Sequence, residues 1–131
     1  MCKPVHQVVE FNAKPKDVYD AYLDSRRHAR MTGAPAQMSK KEGGWFTAGD
    51  YIVGYNLELV PGKRIVQAWR GKDWPEGAYS VLRLDLKAKG KGSRVTVEHV
   101  GIPDKFREGV DQGWVDFYWT PMKAYFDADR K

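Results

Sequence analysis

One cysteine, Cys2, is all the thiol chemistry the 131-residue chain possesses, so no disulfide can close within it. A lone cysteine fits a reducing, cytoplasmic setting, and a thiol near a chain end without a fixed base is poorly placed as a nucleophile. Long apolar runs are missing too. Nothing approaches the roughly 18 apolar residues of a membrane-spanning helix, and positions 1–14 mix charge with apolar residues rather than forming the apolar stretch of a secretory signal. The three histidines, His6, His28 and His99, are far apart and no cysteine pair accompanies them. A metal needs several convergent N, S or O ligands, so no metal site is expected. Glycine pairs such as Gly43-Gly44 and the Gly90 to Gly92 stretch read as hairpin turns, not as the strand-to-helix loop that cradles phosphates, and no cofactor is expected.

What the chain does have is aromatic mass: 13% of its residues, including five Trp and seven Tyr. Such rings supply much of the buried area of a small core. A chain of this length fits one domain, 1–131, burying about two-thirds of its unfolded surface. The net charge of +5 is scattered. Lys87, Lys89, Lys91 and Arg94 lie on a glycine-rich hairpin that reads as a solvated turn, and Arg26, Arg27 and Arg30 form a second cationic group. Neither carries the interleaved aromatics of a single-strand nucleic-acid surface, so nucleic acid is not an expected partner.

Periodicity changes twice along the chain. Val5 to Phe11 is Val-rich and reads as a strand. Pro15 opens a short helix over 16–23, with Asp17 in the first turn where the helix dipole favours it, and Asp24 or Ser25 caps a second over 26–31 that stops before Gly33-Ala34-Pro35. Strand-like segments follow at 36–39, 45–47, 51–60, 64–69, 79–87 and 94–100, separated by connections too short for crossover helices; the sheet should be antiparallel. Leu82, Leu84 and Leu86 alternate with Arg83, Asp85 and Lys87, giving one buried and one wet face. By the same parity Ile65, Gln67 and Trp69 point inward, and Val95, Val97 and His99 share a face. Over 106–129, Val110, Trp114, Phe117, Tyr118, Met122, Tyr125 and Phe126 recur at helical spacing. That predicts one long amphipathic helix, kinked at Pro121 and weakened by Gly109 and Gly113. The order implies an α+β fold in which a curved antiparallel sheet wraps around the last helix, with two short helices after the first strand.

That order is also the order of the helix-grip (START-like) superfamily, and the residues narrow the likeness. Thr32-Gly33-Ala34-Pro35-Ala36, Gly43-Gly44-Trp45-Phe46 and Gly54 with Leu59-Val60-Pro61 and Ile65-Val66 resemble the C-terminal domain of the heat-shock-protein-90 ATPase activator. So do Trp69-Arg70, Trp74-Pro75-Glu76-Gly77, Gly101-Ile102-Pro103 and Gln112-Gly113-Trp114. The resemblance covers nearly the whole chain. It implies a non-enzymatic binding module, either holding a small hydrophobic ligand between sheet and last helix or acting as a co-chaperone in stress response, with a chaperone of the heat shock protein 90 class as partner. The rival it leaves open is a small hydrolase or polyketide-cyclase-like enzyme using the same space.

For a ligand between sheet and helix, the candidate lining is Gln67, Trp69, Tyr79, Leu84, Val97, His99, Trp114, Tyr118 and Met122. Trp45, Trp74 and Tyr125 complete an aromatic set that either lines a cavity or fills the core. His99 has no carboxylate at matching parity to orient it, so it reads as a hydrogen-bonded structural histidine rather than a general base, and no catalytic residue is expected. Gln67 is the other inward polar group, unless a bulge shifts its parity. For chaperone docking the candidates are Arg26, Arg27 and Arg30.

Overall fold

Alternation of small apolar and polar residues produces the expected strands, and their pairing yields one seven-stranded sheet. The computed structural model describes residues 4–129, which leaves Cys2 outside the described residues. The strands are β1 (Val5–Phe11), β2 (Ala36–Gln37), β3 (Trp45–Ala48), β4 (Ile52–Val60), β5 (Arg64–Gly71), β6 (Ser80–Lys89) and β7 (Gly92–Val100), in the spatial order β1-β7-β6-β5-β4-β3-β2. Every neighbouring pair is antiparallel. Hairpins link all of these strands except β1, which joins β7 from the far end of the sequence.

Helices α1 (Pro15–Leu23) and α2 (Ser25–Thr32) fill the connection from β1 to β2. Proline at the start of α1 costs nothing, because its missing N–H would have had no partner there. Asp24 caps α2 by accepting from the Arg27 amide at 2.9 Å, and Gly33 ends it in the left-handed region at φ 75°, where a side chain would be strained.

The inner face of the sheet is buried as its parity predicts: Ile65, Gln67 and Trp69, Leu82, Leu84 and Leu86, and Val95, Val97 and His99 all lie inside. Register aligns Asn56, Gln67, Leu82, His99 and Val5 in one row across five strands. The one register shift falls in β4, between Asn56 and Glu58, so Gln67 keeps its inward parity.

The last segment departs from a single regular helix. An α-helix, α3 (Asp104–Gly113), runs into a six-residue π turn (Trp114–Trp119) and then α4 (Thr120–Asp129). The Thr120 amide reaches five residues back to the Val115 carbonyl. Pro121 would collide with the carbonyl four residues before it in an unbroken α-helix, and the wider turn that precedes it eases that conflict. The extra residue also rotates the buried face. Trp114, Tyr118 and Trp119 point inward together, while Phe117, expected on the apolar face, is 68% exposed. Trp119 stacks on Trp114 at 5.0 Å and its indole donates to Gln7 Oε1 at 2.6 Å. Phe126 closes the far end against Phe11.

Candidate functional site

The inner face is not filled evenly. Between the β2–β4 end of the sheet, the end of α2 and the helical segment from α3 into the π turn lies a solvent-open cleft of about 460 Å³, within the usual range for small-ligand sites. One wall carries Thr32, Ala34, Ala48, Tyr51 and Ile52, the other Phe106, Val110 and Phe117, with Trp69, Trp114 and Tyr118 also lining it. Gly109 and Gly113 help make the room. A Cβ at Gly109 would meet nothing within 4 Å, and one at Gly113 would touch only the Phe117 ring at 3.6 Å. The glycines that weaken the helix also leave its wall hollow.

Polar groups in the cleft are few and mostly committed. The Thr32 hydroxyl donates to the His28 carbonyl at 3.1 Å. Tyr118 is tied to His28: His28 Nδ1 faces the Tyr22 carbonyl at 2.7 Å and must carry the proton, so Nε2 accepts from the Tyr118 hydroxyl at 3.0 Å. Burial pushes the Tyr118 phenol up and the His28 imidazole down, the latter against the carbonyl bond that favours its charged form, so both stay neutral near neutral pH.

Of the residues the sequence nominates as ligand-binding, Trp69, Trp114 and Tyr118 line the cleft. Leu84, Val97 and Met122 are at most 3% exposed and lie in the core, outside the cleft lining. Tyr79 is placed differently again: it precedes β6, is exposed, and meets Tyr55 ring to ring at 6.2 Å with Arg70 over its ring. Trp45, 62% exposed, packs at a tilt on Tyr55, 4.9 Å between ring centroids. Trp45 and Tyr79 therefore belong to the outer side of the sheet; in β3, Phe46 and Ala48 alternate with Trp45 and take the inner positions. Tyr125 is half-buried at α4, and Trp74 packs on Trp69 at 5.4 Å.

His99 sits in the sealed interior behind the cleft. The Trp114 indole can only donate, and it donates to His99 Nδ1 at 3.1 Å, so the proton is on Nε2. Nε2 faces Ser80 Oγ at 2.6 Å, and the Ser80 hydroxyl donates onward to the Trp69 carbonyl at 2.8 Å. Both ring nitrogens are occupied, and burial lowers the imidazole pKa from 6.5 to about 3. An imidazole whose acceptor nitrogen is already filled cannot take a proton from a substrate.

Gln67 belongs to a second sealed chain. Its Nε2 donates to Asn56 Oδ1 at 3.0 Å, its Oε1 accepts from Tyr22 Oη at 3.3 Å, and Asn56 Nδ2 reaches the Ser39 and Lys41 carbonyls at 2.9 and 3.0 Å. The hydrogen-bonding roles of His28, Tyr22 and Asn56 have no signal in the local sequence. The arginines do not form one patch. Arg27 turns back to Asp17 at 3.0 Å and the Tyr125 hydroxyl at 2.9 Å, whereas Arg26 and Arg30, one turn apart, are exposed.

Among the described residues no group of three His, Cys, Asp or Glu side chains is arranged to hold a metal ion, and no helix is long and apolar enough to cross a membrane. Residues 12–127 match the family model described as "Activator of Hsp90 ATPase homolog 1-like protein". The human protein named Activator of 90 kDa heat shock protein ATPase homolog 1 is 32% identical over 117 residues, covering 88% of this chain and 35% of the human one. The Dictyostelium discoideum Activator of 90 kDa heat shock protein ATPase homolog is 33% identical over 124 residues, covering 93% and 32%. The chain thus spans about a third of the length of these relatives. Among solved structures, an HSP90 activator from Plasmodium falciparum superposes with a TM-score of 0.86 at 23% identity, over 93% of this chain and 94% of that one. DynU16, from the dynemicin biosynthetic locus, gives 0.78 at 20% identity over 96% and 48%. These two likenesses define the helix-grip fold.

Proposed function

Because the chain belongs to the family of activator of Hsp90 ATPase homolog 1-like proteins, we propose that it is a non-catalytic binding module that takes a small hydrophobic molecule into the cleft between the β2–β4 end of the sheet and α3. The observation that carries this reading is the cleft itself: about 460 Å³, apolar on both walls, with its Tyr118 and Thr32 hydroxyls already hydrogen-bonded inside the protein. A ligand would bury apolar surface there without stranding polar groups. Trp69, Trp114 and Tyr118 are the ligand-binding residues retained from the sequence; Gln67, Leu84, Val97, His99 and Met122 are buried outside the lining. Against the hydrolase or cyclase alternative, the two buried histidines, His99 and His28, have both ring nitrogens engaged.

The test is titration with a neutral fluorescent probe, phenylnaphthylamine. Wild type should bind it with enhanced emission, and Gly109→Trp should fill the cleft and abolish binding while the domain stays folded. A folded wild type that binds no probe would remove the ligand reading.

A second reading, docking on a chaperone of the heat shock protein 90 class, is favoured by one observation, the names of the matched relatives. On this chain the exposed cations Arg26 and Arg30 would contribute to such a surface, and contact through exposed charges would weaken over a Debye length of about 10 Å at ~0.1 M salt. Titration against the organism's own chaperone with Arg26→Glu and Arg30→Glu decides it. Binding that is insensitive to both changes and to salt would take these residues out of the surface.

A further inference from the structure

We propose that the molecule bound in the cleft is an amphipathic anion, its apolar body between the aromatic walls and a single negatively charged head, of carboxylate or sulfonate type, held at the mouth by Lys105. This rests on the cleft reading and adds a charge requirement to it. Lys105, in the first turn of α3, is the one charged residue lining the cleft. Its ammonium lies 5.7 Å from the centroid of the Phe106 ring, itself part of the wall. None of the ion pairs among the described residues engages it.

The remaining polar groups of the lining do not compete for that role. The Tyr51 phenol is raised by burial and by the neighbouring Asp73 carboxylate, so it stays neutral; Tyr118 and Thr32 are bonded internally. Asp104 and Glu108, the acids nearest to Lys105 in the sequence, are outside the lining. A cation at the edge of an apolar wall interacts more strongly with an opposite charge than the same pair does in bulk water, because water is excluded on one side. A neutral molecule would gain the apolar contact alone. A cationic one would meet Lys105 as a like charge.

The experiment compares anilinonaphthalene sulfonate with its neutral parent phenylnaphthylamine, two probes of one aromatic skeleton, on the full chain at low salt. Wild type should favour the sulfonate by roughly two- to fivefold, the span expected of a partly exposed ion pair. Lys105→Met should erase that preference by weakening the sulfonate, while the neutral probe, which offers Lys105 no charge, should change less than the sulfonate does. Lys87→Met, which removes an exposed cation from β6 far from the cleft, should leave the preference intact and so separate a local effect from the net charge of +5. Equal affinity of wild type for both probes, or a preference that Lys87→Met reduces as much as Lys105→Met does, would overturn the proposal and leave the cleft reading standing. Failure of both probes to bind would overturn the two together.

Discussion

Trp114 faces two regions of the interior that are equally aromatic and physically opposite. On one side it walls the cleft, where rings surround open space and polar atoms are scarce. On the other its indole enters a closed relay, Trp114 to His99 to Ser80 to the Trp69 carbonyl, in which each donor has an acceptor. Aromatic content does not separate a binding space from a core; hydrogen-bond commitment does. Entry of a ligand into the sealed region would break bonds that water cannot replace, whereas entry into the cleft would break none.

The hardest blow to this contrast is His99→Leu. It strands the Trp114 N–H, at about 1–3 kcal/mol for a buried unpaired group, and removes ring packing against Trp69 and Trp114. Ser80 keeps its bond to the Trp69 carbonyl, so the change should cost roughly 2–5 kcal/mol. Urea unfolding measures it, with the neutral probe's affinity read on the folded fraction. A probe affinity that falls while stability holds would mean that His99 serves the ligand and not the core.

Acid should act in the same place. In the folded protein His99 titrates near 3 instead of 6.5 and His28 is lowered as well, both through burial. The unfolded chain therefore binds more protons between about pH 6.5 and 3. Stability is fully present above that window and is lost as the pH falls through it, with a slope of up to about 1.4 kcal/mol per pH unit from His99 and a contribution of the same sign from His28. Unfolding midpoints from pH 7 to 4, with His99→Leu as reference, should show a shallower slope in the variant. Equal slopes would dissociate the histidine from the acid response.

Gln67→Leu tests the second sealed chain more gently. It leaves Asn56 Oδ1 and the Tyr22 hydroxyl without their partners and should cost about 1–3 kcal/mol, with little change at the cleft. The smallest effect should have the opposite sign. Gly109→Ala places a methyl in open space on a helix and should stabilise the domain by about 0.5–1 kcal/mol while weakening probe binding. A destabilising Gly109→Ala would mean that the helix wall is not hollow there.

Most of the sheet is legible in the sequence because period-two alternation is a local signal: Leu82, Leu84 and Leu86 or Val95, Val97 and His99 declare their face without tertiary help. The Asp24 cap and the Gly33 stop are local as well. Illegible features are those decided elsewhere in the chain. His28 lies on a strongly polar helix, and its buried bond to Tyr118, ninety residues on, has no local signal. The inward turn of Trp119 depends on an inserted residue that a fixed helical period of 3.6 residues cannot anticipate. The outward turn of Trp45 had a signal in Phe46, its apolar neighbour, since only one of the two can face the core. The sequence points to a cleft further along the inner face toward Met122, yet the open space lies where Gly109 and Gly113 thin the opposite wall.

The near-parallel stack of Trp114 on Trp119, 5.0 Å apart and 13° from coplanar, also makes the two indoles coupled chromophores. Their transitions should mix and give an exciton couplet in the circular dichroism spectrum. Because Trp114 is at once half of that pair and a wall of the cleft, occupancy would tilt one partner against the other, and the couplet would serve as an optical gauge of binding that needs no label.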